Sequence, residues 1–204
     1  MSARSETAAP PRTAELVREA GLYERLIVDG WRGLDESVRR LHAAGVRVTG
    51  SFTVRRGASR TARMLASLLR LPAPGEVVPV QLRVTPSGDG ERWHRTFNNR
   101  AFVTQQHAHD AALLAERMGP FEVRFRLCVE DGALVYQQES AALRALGLRV
   151  TLPAALSPRI EASEHAESCD GRAGGVRVSV RVTMPLVGLL LLYEGRLLME
   201  VNGA

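Results

Sequence analysis

The chain contains no lysine: all 27 basic residues among its 204 are Arg. Without Lys there can be no Schiff base to a carbonyl substrate, no covalent pyridoxal phosphate and no phosphate-binding P-loop lysine. The bias has a compositional source, the codon usage of a GC-rich genome. Cysteine is almost as scarce. Cys128 and Cys169 are the only two, and their spacing matches neither a disulfide framework nor a zinc site. Cys128 falls in a predicted strand as a small boundary thiol. Long apolar runs are missing too. The longest, Val187–Tyr193, is seven residues, against the roughly 20 needed for a membrane-spanning helix. The opening MSARSETAAPPRTAE is polar and has no secretory core. The expectation is a cytoplasmic protein with no membrane partner.

Aromatic residues make up 5% of the chain and hydrophobic residues 45%, which suits one compact domain. Residues 1–11, rich in Ser, Ala and Pro, read as a disordered tail. Residues 12–204 read as a single globular domain. Its first part, 12–44, is helical: Thr13 caps one helix, a second covers about Leu22–Val28, and Asp35 caps a third ending at His42. From 45 to 200 the pattern is sheet, with one helix inserted at 58–71 between the first strand and Pro72.

Strand alternation dominates this second part. Val46, Val48, Gly50, Phe52 and Val54 alternate with polar residues. The turns PSGDG, NN and DG join further strands as hairpins. The segment Ala111–Met118 fits a helical turn or a strand equally well. About 8–10 antiparallel strands result, an α+β fold curved into a barrel or half-barrel, lipocalin-like or helix-grip-like. Either form can leave a cavity.

Trp93, Arg95 and Phe97 share one strand face, so a guanidinium lies between two aromatic rings. On an inward face it could hold an anion or an enolate; alternatively it pairs with a structural carboxylate such as Glu116. His107, His109 and Asp110 gather at a strand end, where an imidazole suits a general base. No third ligand completes a metal set, so no metal is expected. Glu116 beside Arg117 offers a second base, or else a structural bridge. Tyr136 shares a face with Gln138 and is a candidate proton donor. Arg95, His107, Glu116 and Tyr136 are therefore the catalytic candidates, and Trp93, Phe97, Phe102, Phe125 and Gln138 the ligand-binding ones. In the run from Glu161 to Glu167, strand phasing puts Glu161, His165 and Glu167 on one face and Glu164 on the other. Arg60, Arg63 and Arg70 give the long helix a basic face, but aromatic content is too low for a nucleic-acid stacking platform.

The runs LYERL, GSFTVRRG, PVQLRVTPSGDGERWHRTF, AERMGPFEVRFRL and MPLVGLLLLYEGRL follow one another in an order that resembles a bacterial family, the domain-of-unknown-function family numbered 4166. The similarity covers roughly Leu22 to Leu198. It implies a bacterial, often actinobacterial, setting beside small-molecule metabolism, since members occur alone or fused to saccharopine-dehydrogenase-like or short-chain-dehydrogenase-like domains. It supplies no catalytic residue. No GxGxxG follows a strand here, so any nucleotide would belong to another protein.

The expectation is thus a small-molecule-binding barrel of bacterial specialised metabolism. It would act without a cofactor on a mostly apolar, polyketide-like substrate by dehydration, isomerisation or cyclisation. The alternative is a non-catalytic carrier or an accessory subunit of a separate oxidoreductase. A homodimer or a separate biosynthetic enzyme would be the protein partner; nucleic acid would not.

Overall fold

A computed structural model of the chain describes residues 20–43, 45–110, 112–145, 147–169 and 172–199. The tail and the helix expected after Thr13 lie outside them, as does the side chain of Cys169. Two short helices, α1 (Leu22–Leu26) and α2 (Glu36–Leu41), flank a single 3-10 turn, Trp31–Gly33. Strand β1 (Arg47–Arg56) follows, then α3 (Arg60–Leu68) and ten more strands: β2 (Gly75–Ser87), β3 (Gly90–Phe97), β4 (Arg100–His109), β5 (Leu113–Met118), β6 (Phe121–Glu130), β7 (Ala133–Ala145), β8 (Leu148–Thr151), β9 (Arg159–Cys169), β10 (Arg172–Met184) and β11 (Gly188–Met199).

Ten of these strands close a barrel. Neighbours pair antiparallel from β1 through β7; β7 then pairs β9, and β10 and β11 lead back to β1. Closure gives every strand of the ring two neighbours, and the choice between barrel and half-barrel resolves to the closed form. The ambiguous segment 111–118 contributes β5. Strand β8, not anticipated from the sequence, lies outside the ring on the far half of β7. The β7–β9 seam is short, with Leu134, Val135 and Tyr136 facing Glu164, Ser163 and Ala162. Beyond it Gln138 bridges the gap: its Nε2 donates to the Pro158 carbonyl and its Oε1 accepts from the Ile160 amide, both at 2.8 Å. A side chain here replaces missing ladder bonds.

The N-terminal helices cap one end of the barrel. Leu22, Tyr23, Ile27, Val38 and Leu41 are buried there. Asp35 occupies the N-cap position of α2, but its side chain makes no capping bond. Instead its amide donates to the Gly132 carbonyl at 2.9 Å. Its carboxylate stands where a Cβ on Gly132 would lie, and Gly132 has φ +81°. The β6–β7 turn therefore requires glycine twice over, for backbone conformation and for this contact.

The opposite end carries α3, which packs on β1 and β11. Ser59 caps it by accepting from the Ala62 amide at 3.1 Å. The helix is shorter than the span 58–71 expected. It ends in a left-handed Arg70, φ 53°, with the Leu71 amide bonded back to the Ala66 carbonyl at 2.9 Å, a Schellman-type stop. Leu68, which falls in the helix's apolar stripe, is 74% exposed.

Candidate functional site in the barrel interior

The inward faces of the strands enclose a cavity of about 150 Å³. A cavity of this size lined by apolar side chains accepts a benzene-sized molecule. Phe52, Phe97, Phe102, Phe125, Val182 and Leu191 are among its apolar lining. Polar groups enter it at two places.

The first is on the wall. Along β3, Trp93 and Phe97 are buried, and Arg95 between them points into the same space. The guanidinium carbon lies 4.8 Å from the Trp93 ring centre, within cation–π range. Arg95 Nη1 donates to Thr104 Oγ1 at 2.9 Å and approaches Glu116 Oε1 at 3.6 Å. Among the described residues its Nε and Nη2 make no hydrogen bond. Wall and pairing readings of Arg95 therefore hold together: it lines the cavity and is loosely paired there.

The second is at the capped end. His42, the residue closing α2, is 1% exposed and faces Glu164 on β9, with Nε2 to Oε2 at 2.5 Å. The contact is a short hydrogen bond whose donor depends on the imidazole tautomer, and His42 Nδ1 is buried without a partner. Tyr136 donates to the other oxygen, Glu164 Oε1, at 3.1 Å, and its hydroxyl lies 3.2 Å from that of Tyr23. Tyr23 donates to Gln106 Oε1 at 2.8 Å. The His42 ring stacks on Tyr23 with centres 3.8 Å apart. Burial pushes both tyrosine hydroxyls well above their ordinary pKa, and the nearby Glu164 carboxylate adds to the shift. They stay protonated donors. Beside them Trp93 Nε1 donates to Glu91 at 3.0 Å, while burial raises that carboxyl above its usual range. Glu164, Tyr136 and Gln106 reach the cavity; Tyr23 and His42 stand behind them.

Seven of the sequence-derived candidates line the cavity: Arg95, Glu116, Tyr136, Trp93, Phe97, Phe102 and Phe125. Two do not. Gln138 is spent on the β7–β9 seam. His107 lies on the outer face, because Thr104 and Gln106 on β4 are the buried pair and His107 falls between them in phase. Burial and the neighbouring Arg117 lower its pKa. His109 Nε2 lies 3.1 Å from the exposed Asp110 Oδ2.

Glu116 and Arg117, adjacent in sequence, are separated by the barrel wall. Arg117 Nε instead donates to Glu122 at 3.0 Å on the outside. Among the described residues no group of three or more His, Cys, Asp and Glu is placed to hold a metal.

Sequence reasoning missed His42 and Tyr23, which the helical cap delivers, and Thr104 and Gln106. Glu164 had a visible signal. Ile160, Ala162, Glu164 and Ala166 form one strand face, and Glu164 is its only charge.

A solved structure similar to this chain is a protein of unknown function of the DUF3598 family from Nostoc punctiforme. It shares 8% identity with a TM-score of 0.39, over 76% of this chain and 46% of that one. The chain thus spans about half that protein's length, and the fold rests on the strand pairing above. A comparison with curated proteins found no match. The model of a domain of unknown function, DUF4166, matches residues 34–197. That range runs from the start of α2 to the last strand, and the chain belongs to the DUF4166 family.

Proposed function

We propose that the barrel binds a small, mostly apolar molecule carrying one carbonyl or carboxylate group, and transforms it without a cofactor. The observation that carries this is Arg95. It is a cation in an apolar cavity, paired only at 3.6 Å, with two of its nitrogens free of hydrogen bonds among the described residues. Its side chain is 15% exposed, and a ligand oxyanion would accept from the donors it turns towards the cavity. Its stacking on Trp93 fixes its direction.

Acid–base groups lie on the same cavity. Glu164, oriented by His42, and Glu116 are bases; Tyr136 is a donor. For an isomerisation, a carboxylate removes a proton next to the carbonyl. Arg95 stabilises the enolate oxygen, and the carboxylic acid returns the proton to another carbon of the enolate. Dehydration or cyclisation of a molecule of that size uses the same parts, whereas a polyketide-like substrate exceeds a benzene-sized cavity. A second reading, a carrier that does no chemistry, is favoured by one feature. Tyr23, Tyr136, Glu164, His42 and Gln106 bond to one another, leaving only His42 Nδ1 buried without a partner in that network, much as a structural network would.

Benzoate titrated by calorimetry tests the binding site, and 3-cyclohexen-1-one, followed by ultraviolet absorption of its conjugated product, tests the chemistry. Saturable benzoate binding that weakens at least tenfold in Arg95→Leu is expected. Its absence overturns the binding site. Binding without turnover, or turnover unchanged in both Glu164→Gln and Glu116→Gln, leaves the carrier.

A further inference from the structure

The α3 end of the barrel differs from the end capped by α1 and α2 in two independent ways. The first is exposed apolar surface. Of the ten large hydrophobic side chains exposed among the described residues, seven lie at the α3 end. Met64 and Leu68 project from α3, four residues apart and so on one helical face; they are 63% and 74% exposed. Leu186, at the tip of the β10–β11 turn with φ 66°, is 99% exposed. Leu148, Val150 and Leu156 flank them at 56–69%, and Val77 at the start of β2 completes the set.

The second is charge. The chain segments that build this end are 55–77, 98–100, 117–122, 144–159 and 184–188. Together they hold ten Arg and two Glu, Glu76 and Glu122. Among the other residues whose side chains are described, 13 Arg stand against 15 acidic residues, so the described part of the barrel is polarised along its axis. Arg60, Arg63 and Arg70 stand around the exposed Met64 and Leu68 on the helix and its stop. The cavity lining reaches this end through Leu69, Leu71, Met118, Phe121 and Met184.

We infer that this rim docks on an anionic lipid bilayer surface. Arg side chains beside projecting Leu and Met are the composition of an interfacial membrane contact: the apolar tips enter the headgroup boundary and the guanidinium groups meet phosphates. A symmetric second copy would set ten Arg against ten Arg. Nucleic acid would leave the projecting Leu and Met side chains without a partner. Docking needs no membrane-spanning segment, and no helix among the described residues is long and apolar enough to cross a membrane. The absence of a span, which led the sequence to suggest no membrane partner, leaves surface docking open. Because the cavity lining runs to the rim, docking would let an apolar ligand pass between bilayer and barrel. That consequence alone rests on the proposed function.

The test is flotation of the full chain with vesicles of phosphatidylcholine alone, or with 30% phosphatidylglycerol in it, an amount of about a third chosen for strong surface charge. The expected result is binding to the anionic vesicles, little to the neutral ones, and release as salt rises. The variants Leu68→Asp with Leu186→Asp, and Arg60→Glu with Arg63→Glu, should each reduce the bound fraction at least tenfold. Val28→Asp and Val103→Asp, exposed apolar sites away from the rim, should not. All six positions are exposed, and thermal unfolding checks that each variant folds. No binding to anionic vesicles overturns the proposal, as does equal binding to neutral ones or equal loss in the control variants. A concentration-dependent dimer abolished by Leu186→Asp would assign the rim to a second copy instead. Benzoate affinity is read separately, so failure of docking leaves the interior site standing.

Discussion

Two arginine–carboxylate arrangements lie on opposite sides of the same barrel wall. Inside, Arg95 and Glu116 face each other singly at 3.6 Å. Outside, the buried Glu122 carboxylate, 2% exposed, gathers Arg117, Arg124, Arg144 and Arg149 at 2.8–3.3 Å. Burial works against the Glu122 charge, but the bonds from Arg149, Arg117 and Arg144 outweigh it and bring its carboxyl down to about 2. The outer cluster fills both Glu122 oxygens and ties β5, β6, β7 and β8 together, with Arg124 Nε and Arg149 Nη2 buried without a hydrogen bond. The inner pair is longer and faces an apolar cavity. The difference separates a cluster in which four cations converge on one carboxylate from a single pair beside space for a ligand.

Breaking the outer cluster should have the largest effect on stability. Glu122→Ala leaves four guanidinium groups without their shared partner, a cost on the order of 3 kcal/mol. Thermal unfolding should show a fall in Tm of roughly 6–12 °C for a domain of this size. Acid makes the same point without mutation. The Glu122 pKa is depressed in the folded state, so its stabilisation is present above the ordinary carboxylate range and lost as pH falls from about 4.5 towards about 2. Glu122→Gln should flatten that part of the stability–pH curve; an unchanged slope would remove Glu122 as its cause.

Glu164→Ala comes next, at about 2 kcal/mol, because it strands the buried His42 Nε2 and the Tyr136 hydroxyl. A double-mutant cycle with His42→Ala should return a coupling of about 1 kcal/mol or more. Additive effects would mean that the 2.5 Å contact contributes little.

Arg95→Leu sharpens the contrast, since it should change stability by less than about 1 kcal/mol while weakening benzoate at least tenfold. If it destabilises as much as Glu122→Ala, the inner pair is structural as well. His107→Ala, on the outer face, should stay within about 0.5 kcal/mol and leave benzoate affinity unchanged.

Local features of the site were legible wherever strand phase was anchored by bulky residues. Trp93 and Phe97 hold the phase of β3, so alternation puts Arg95 on their face, and closure of the barrel turns that face inward. The same alternation puts Glu164 opposite Glu161, His165 and Glu167. On β4 the sequence is less decisive: Phe102 and Val103 are adjacent and apolar, and either phase buries one of them. His107 is a candidate base for its chemistry at a strand end, and the phase of β4 places it on the outer face. Gln138 was read as a ligand contact because its role depends on a gap between β7 and β9 that exists only once the barrel closes. The cap was legible as helices, but not as the source of His42.

The sequence by itself determined the antiparallel strands, their turns and the inserted helix, because these depend on side-chain period and turn chemistry within a few residues. Tertiary structure decided what depends on closure. It joined His42 to Glu164 across 122 positions, and sent Glu116 inward and Arg117 outward to different partners. It also gathered scattered Leu, Met and Arg residues onto one rim. Such meetings are set by strand order and register around the ring, and no local pattern in the chain encodes which distant residues arrive at the same place.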